Sequence, residues 1–185
     1  MKIVNSFIIA FAMYSKIPMP KASWEIENMK YVMCFFPWVG AVIGALFTLW
    51  GFFGDLLPVG HTLYTALLLL IPVVITGGIH LDGLLDTADA LSSYQSKERR
   101  LEILKDSHAG AFAVIACVVY FVTYFGFLSE LSYRMISLVS MGFFFSRSLS
   151  GFAITAFPCA KNSGLAATFA NGADKKRARI ILLAE

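Results

Sequence analysis

The sequence has 185 residues, of which 58% are hydrophobic and 15% are charged, and its mean hydropathy is +0.71. Soluble globular domains carry about a quarter charged residues, so these values exclude that class and indicate one integral membrane domain, 1–185. The net charge of +3 is small and the basic residues lie in loops, so nucleic-acid binding is not expected. The cysteines stand singly in apolar segments, which predicts buried side chains and not zinc ligands or disulfides: Cys34, Cys117 and Cys159.

The apolar runs predict an all-α fold, a polytopic transmembrane helical bundle with about four full spans. The uncharged run at 3–15 is too short for a span of about 20 residues, and Pro18 and Pro20 end the segment, so we expect an interfacial or re-entrant helix at 3–17. Full spans are expected near 31–54, 56–79, 109–129 and 135–157. A loop at 80–108 connects the second span to the third.

Glycines stand at two informative places in these runs. Gly40 and Gly44 form a GxxxG pattern, which allows a second helix to approach closely, although incidental glycines explain the pattern equally well. Gly77 and Gly78 loosen the helix or allow close backbone approach to a ligand. A new apolar run at 180–184 stops at the last residue, so we expect a chain truncated at its C-terminus.

The distribution of lysine and arginine between loops predicts the orientation. The loop at 55–60 has none and that at 129–134 has only Arg134. The loop at 82–108 has four and that at 158–179 has five, namely Lys97, Arg99, Arg100 and Lys105, then Lys161, Lys175, Lys176, Arg177 and Arg179. The positive-inside rule therefore places the loop at 82–108 in the cytoplasm.

Three aspartates follow the second apolar run, in the segment TGGIHLDGLLDTADAL at 76–91. Asp82, Asp86 and Asp89 are spaced i, i+4 and i+7, which on a helix falls within about a 60° sector of one face. Like charges this close repel each other, so a bound cation is expected. Carboxylate oxygens suit Mg²⁺, and the spacing predicts a metal site for phosphate chemistry. The alternative is an acid-rich helix N-terminus, which the helix dipole favours.

Two further polar segments accompany the cluster. His80 would lie roughly 160° from Asp82 on an unbroken helix, so either the helix begins after it or it serves another purpose, such as a hydrogen bond within the fold. Asp106 stands at the entry to the third span, where two helix ends can bring their acids to one site. The alternative for Asp106 is a helix N-cap, a position that Ser107 also suits.

Arg147 is the one formal charge within the fourth span. Intramembrane arginines are costly and mark functional sites, and the guanidinium suits a phosphate. A structural ion pair or an interfacial position is the alternative. Nucleophile-elbow, zinc-protease and Walker motifs are absent from the sequence, which favours metal-assisted phosphoryl transfer.

At TGGIHLDGLLDTADAL the sequence resembles the cobalamin synthase (adenosylcobinamide-GDP ribazoletransferase) family. Further family-like stretches run along nearly the whole chain: IPMP at 17–20, FPWVG at 36–40, ILKDSHAGAF at 103–112, Ser146-Arg147 and FPCAKNSGLA at 157–166. Where the family often has arginine in D-S-R-x-G, this chain has His108, so a cation there depends on pH.

The resemblance implies an Mg²⁺-dependent enzyme of a bacterial or archaeal cytoplasmic membrane, with the active site facing the cytoplasm. It would join adenosylcobinamide-GDP to α-ribazole, or to its 5′-phosphate, and release GMP. Asp82, Asp86, Asp89 and Asp106 match the family's acidic positions, with the first three as metal ligands. Asp82, Asp106 and His80 are the expected catalytic residues. The expected substrate-binding residues are Arg147, Arg99, Arg100, Lys105 and His108. The resemblance is compatible with a homo-oligomer.

Two other classes compete with this interpretation. A CDP-alcohol phosphatidyltransferase also clusters aspartates beside a membrane, but the Ala-Arg step of its motif is missing after Asp82-Gly83. A transporter subunit would line an ion path with charges in several spans, whereas only Arg147 is found there.

Overall fold

The computed structural model describes residues 2–106, 108–160 and 164–185. The predicted capping residue Ser107 and the loop cation Lys161 lie outside these ranges. Within them the chain is helical, with no strand. The helices in chain order are α1 (Lys2–Tyr14), α2 (Ile26–Met29), α3 (Val32–Phe53), α4 (His61–Thr76), α5 (Ile79–Ser92), α6 (Lys97–Ile103), α7 (Ala111–Ser129), α8 (Tyr133–Ala156), α9 (Leu165–Gly172) and α10 (Lys175–Ala184). The predicted all-α membrane fold is confirmed.

Three of these helices, α3, α7 and α8, are long and apolar enough to cross a membrane. Helices α4 and α5 together would make a fourth span, but they meet at an angle of 93°. The described residues therefore contain three candidate spans, or four with the bent pair, against about four expected. The chain divides into two compact units, Met1–Gly54 with Ser132–Glu185, and Asp55–Leu131.

The first unit is organised around the contact between α3 and α8. A Cβ atom at Gly40 would lie 2.7 Å from the Phe143 carbonyl carbon and closer still to its oxygen, and one at Gly44 would lie 2.5 Å from the Ser140 carbonyl oxygen. The GxxxG pattern therefore serves close backbone contact, as predicted, and its partner is α8. Thr48 Oγ1 donates to Ser140 Oγ at 2.6 Å across the same contact.

A hydrophobic core in this unit joins α1 and α3 to the two C-terminal helices. Its buried members come from α1, α3, α9 and α10 and are Ile9, Ala10, Val32, Met33, Cys34, Phe169, Ala178 and Leu182. Helix α1 packs against α3 through ring contacts such as Tyr14 with Phe36, at 4.3 Å between centroids. Ser148 Oγ of α8 donates to Leu182 O of α10 at 2.7 Å. The short helices of the first unit are thus held by both apolar contacts and hydrogen bonds.

The second unit consists of α4 to α7. His61 Nε2 lies 3.1 Å from Ser129 O, so the start of α4 meets the end of α7 and the two helices run antiparallel. Helix α4 ends at Thr76; the next residue, Gly77, has φ 64°, and Gly78 follows with φ 79°. The Gly78 and Gly77 amides donate to Val73 O at 3.0 Å and Val74 O at 3.3 Å, which closes the helix end.

The double glycine changes two predicted boundaries. Two successive residues in the left-handed conformation turn the chain sharply. Both positions are glycine because glycine adopts that conformation without strain. The segment predicted as a span at 56–79 is therefore the 16-residue α4, and the predicted loop at 80–108 contains most of α5 and all of α6. All three cysteines are described; Cys34 is buried, the other two are partly exposed, and none forms a disulfide.

Candidate active site

Helix α5 carries the three clustered aspartates, as the spacing predicted. The helix begins directly after Gly78, and the Asp82 amide donates to Gly78 O at 2.8 Å, which places Asp82 in the first turn. Asp82 is exposed, whereas Asp86 and Asp89 are half-buried. Because the helix is continuous from Ile79 to Ser92, the three carboxylates share one face.

His80 lies on the same helix, one residue after its start. The alternative in which the helix begins after His80 is therefore wrong. Two residues along an α-helix correspond to about 200° of rotation, so His80 and Asp82 lie on nearly opposite faces of α5. His80 is half-buried. Helix α5 alone does not bring His80 and Asp82 together, so a joint catalytic role stays a prediction.

Asp89 makes a contact that the spacing did not predict. Its Oδ1 accepts a hydrogen bond from the Ala113 amide at 3.3 Å, in the first turn of α7. A Cβ atom at Gly110 would lie 2.6 Å from Asp89 Cγ and closer still to both carboxylate oxygens. The carboxylate thus occupies the space that a side chain at Gly110 would need. Gly110 is a functional candidate that sequence reasoning missed, although it was visible in the family-like stretch at 103–112.

Asp106 and His108 form a compact turn before α7. The His108 amide donates to Asp106 Oδ1 at 3.0 Å, and His108 Nδ1 lies 2.7 Å from the same oxygen. These contacts with His108, the backbone amide first and the imidazole next, lower the pKa of the Asp106 carboxyl below its ordinary value, and Arg99 adds to the effect. Asp106 does not cap α7, because Gly110 holds the N-cap position and Asp89 supplies the acceptor.

The basic residues predicted to bind substrate make contacts on and around α6. Arg99 donates to Glu102 Oε2 at 2.7 Å, and Arg100 Nε donates to Gln95 O at 2.9 Å. Lys105 and His108 are exposed. Exposed ion pairs such as Arg99–Glu102 are weak, worth about 0–1 kcal/mol, so these side chains can exchange that partner for a phosphate at little cost.

Arg147 belongs to the other unit, on α8. Its Nη1 donates to Ser146 Oγ at 2.9 Å and to Phe143 O at 3.5 Å. The guanidinium carbon lies 5.7 Å from the centre of the Phe143 ring, within the range of a cation–π contact. The side chain is half-buried, and the helix around it is one of the candidate spans.

The acidic face of α5 fits Mg²⁺ in part. Within the described ranges, no three His, Cys, Asp or Glu side chains are placed to hold a metal ion together. The predicted three-aspartate ligand set is therefore not assembled. Asp82 and Asp86 fit the chemistry of Mg²⁺, which is usually held by one or two carboxylates plus water and substrate phosphate. Asp89 differs from them because its carboxylate lies against α7.

Comparison with known proteins gives a consistent result. The family described as cobalamin-5-phosphate synthase matches residues 6–184. The chain is 52% identical to an adenosylcobinamide-GDP ribazoletransferase of Lachnoclostridium phytofermentans, over 99% of this chain and 70% of that protein. Proteins of the same name from Clostridium perfringens and Clostridium botulinum are 36% and 33% identical, over 94% and 97% of this chain and 70% and 72% of theirs. No solved structure matches the chain.

The fold is all-helical with candidate membrane spans, and its acidic helix α5 meets α4 at 93°. Together with these relatives, the fold defines a membrane-bound transferase of cobalamin biosynthesis. The family match covers nearly the whole chain. The chain belongs to the cobalamin-5-phosphate synthase family. The resemblance inferred from TGGIHLDGLLDTADAL is confirmed.

Proposed function

We propose that this chain transfers the cobinamide phosphate of adenosylcobinamide-GDP to α-ribazole, or to α-ribazole 5′-phosphate, and releases GMP. The observation that carries the proposal is the 52% identity, over nearly the whole chain, to a protein named for this activity. Neither the phosphatidyltransferase nor the transporter alternative has comparable support.

The reaction needs one bond made and one broken at phosphorus. The ribazole 3′-hydroxyl oxygen attacks the phosphorus attached to cobinamide, the bond to the GMP oxygen breaks, and the hydroxyl proton passes to a carboxylate. Asp106 suits that role because it is exposed and its lowered pKa keeps it ionised at neutral pH. A carboxylate with a low pKa is a weak base, so proton transfer would be late in the reaction.

Asp82 and Asp86 are the residues that would hold Mg²⁺ at the pyrophosphate. When bound, the ion supplies neutralisation of phosphate charge and orientation of the attacked group. Arg99, Arg100 and Lys105 carry positive charge beside the acidic helix and would bind the GMP phosphate. Arg147, in the other unit, stays a predicted substrate-binding residue because its guanidinium carries a fork of donors that suits a phosphate.

The orientation is also part of the proposal. Most of the lysine and arginine residues lie in two segments, 82–108 and 158–179. By the positive-inside rule this favours a cytoplasmic position for each segment. Nucleotide substrates are present on that side. The protein would therefore act at the cytoplasmic face of a bacterial or archaeal inner membrane.

The test is a coupled measurement of GMP and corrinoid product. The purified enzyme in lipid vesicles should release GMP from adenosylcobinamide-GDP only when both α-ribazole and Mg²⁺ are present. Asp82→Asn should abolish release, whereas Glu130→Gln, which alters an exposed acid at the other end of α7, should leave it unchanged. CMP release from a CDP-linked lipid, with no GMP release, would instead support the phosphatidyltransferase.

A further inference from the structure

Asp89 differs from the other two aspartates of α5 in what its carboxylate contacts. The first amides of a helix have no acceptor within the helix. In α7 the Val114 amide makes an i to i−4 backbone hydrogen bond to Gly110 O at 3.2 Å. The Ala113 amide precedes that bond and donates instead to Asp89 Oδ1. A side chain of α5 therefore supplies an acceptor that α7 lacks.

The surroundings of this contact are built for close approach. Asp89 Cγ is 2.6 Å from where a Cβ atom at Gly110 would stand, and both carboxylate oxygens are nearer. The small residues Ala90 and Ala113 are each 2% exposed at the same place. Any side chain at position 110 would displace the carboxylate, so Gly110 and Asp89 depend on each other.

We propose that Asp89 is a positioning residue and not a metal ligand. Its carboxylate fastens α5 to the N-terminal turn of α7, where the helix dipole favours a negative charge. This contact sets the face that carries Asp82 and Asp86 relative to the Asp106–His108 turn, which directly precedes α7. The catalytic part of the proposal rests on the proposed function, whereas the structural part does not.

Amide hydrogen exchange at Ala113 tests the contact directly. Asp89→Ala should speed exchange of that amide by about fivefold to tenfold, the effect of losing a typical capping acceptor. Asp89→Asn keeps an acceptor oxygen but loses the charge that the helix dipole favours, so it should speed exchange by only about twofold, less than Asp89→Ala does. Asp82→Ala is the matched control and should have no effect. Unchanged exchange at Ala113 in Asp89→Ala would overturn the proposal.

A double-mutant cycle tests the dependence of Gly110 on Asp89. Gly110→Ala alone should lower the Tm of the purified protein, because the new methyl group meets the carboxylate. In an Asp89→Ala background the three atoms that the methyl would meet are gone, so Gly110→Ala should cause little further fall. An equal fall in both backgrounds would contradict the proposed contact.

Metal dependence separates a positioning residue from a ligand. Asp89→Asn should keep the Mg²⁺ concentration for half-maximal GMP release and most of kcat, while Asp82→Asn loses activity. A shift of about tenfold or more in the Mg²⁺ requirement of Asp89→Asn, equal to 1.4 kcal/mol, would make Asp89 a ligand and overturn the proposal. If the wild-type enzyme releases no GMP, the proposed function fails, and hydrogen exchange and Tm still decide the role of Asp89.

Discussion

Gly40 of α3 lies against the backbone of Phe143 of α8, with a carbonyl carbon 2.7 Å from where a Cβ atom would be. Backbone atoms cannot move aside as the end of a flexible side chain can. The two longest helices of the first unit are therefore joined at a place where no side chain fits. Helix association in membranes relies on such close packing because lipid provides no hydrophobic drive between helices.

Gly40→Ala should separate α3 from α8 and lower stability by about 1–3 kcal/mol, the cost of overpacking a tight contact. Thermal unfolding of the purified protein in detergent would measure it. Gly142→Ala is the control, since a Cβ atom there meets nothing within 4 Å, and alanine is the better helix former. Equal Tm values for Gly40→Ala and wild type would contradict the close contact.

Gly78→Ala should be destabilising for a different reason. A Cβ atom at Gly78 has open space, but φ is +79°, a conformation that costs other residues roughly 1–2 kcal/mol. Gly83→Ala provides the comparison, since it also has open space and lies within α5. We expect a lower Tm for Gly78→Ala and an unchanged or higher one for Gly83→Ala. The reverse order would show that the left-handed turn is not required.

The Asp106–His108 contact predicts a pH effect. The folded protein lowers the pKa of Asp106 from its ordinary value of 3.8, so the contact stabilises the fold above that value. The stabilisation is lost as pH falls through the folded pKa. His108→Ala removes the imidazole but keeps the backbone amide, which is the larger cause. The pKa should therefore rise only part of the way to 3.8.

A carboxyl-carbon NMR titration of labelled aspartate would measure that pKa, with Asp106→Asn to assign the signal. In the enzyme, the acidic limb of the kcat/KM profile should move to higher pH in His108→Ala if Asp106 accepts the proton. An acidic limb that does not move while the NMR pKa rises would remove Asp106 from the reaction.

The proposed orientation predicts labelling from one side only. Tyr94 follows α5 and is 93% exposed, so a cysteine there is reachable by a reagent. In a background with the three native cysteines replaced, Tyr94→Cys should react with a membrane-impermeant maleimide only after cells are permeabilised. A cysteine at Val59, before α4, is the opposite marker if α4 crosses the membrane. Labelling of Tyr94→Cys in intact cells would reverse the orientation.

Parts of this structure follow from sequence pattern alone. Long apolar runs, broken only by Arg147 in α8, are enough to predict α3, α7 and α8, because a helix satisfies every backbone polar group of a span within lipid. The spacing of Asp82, Asp86 and Asp89 predicts their common face because an α-helix repeats about every 3.6 residues. The partner of Gly40 was not predictable, since a small-residue pattern states that a helix can approach and not which one.

The contact between Asp89 and α7 could not be predicted from the sequence for a related reason. Spacing treats the three aspartates as equivalent, and only the packing of α5 against α7 distinguishes one from the others. Similarly, Gly77 and Gly78 indicated a loosened helix, but not the 93° angle that follows from two left-handed residues in succession.

That angle also fixes how much of a bilayer α4 can cover. Its 16 residues rise about 24 Å at 1.5 Å per residue, whereas a hydrocarbon core is about 30 Å thick. The turn at Gly77 and Gly78 prevents the helix from extending, so if α4 crosses the membrane, thinning of the surrounding lipid is one way to match it, at a cost of fractions of a kcal/mol per Å. In that case acyl-chain length would help to determine the depth of the α5 aspartates, and the lipid composition of the host membrane would contribute to their accessibility.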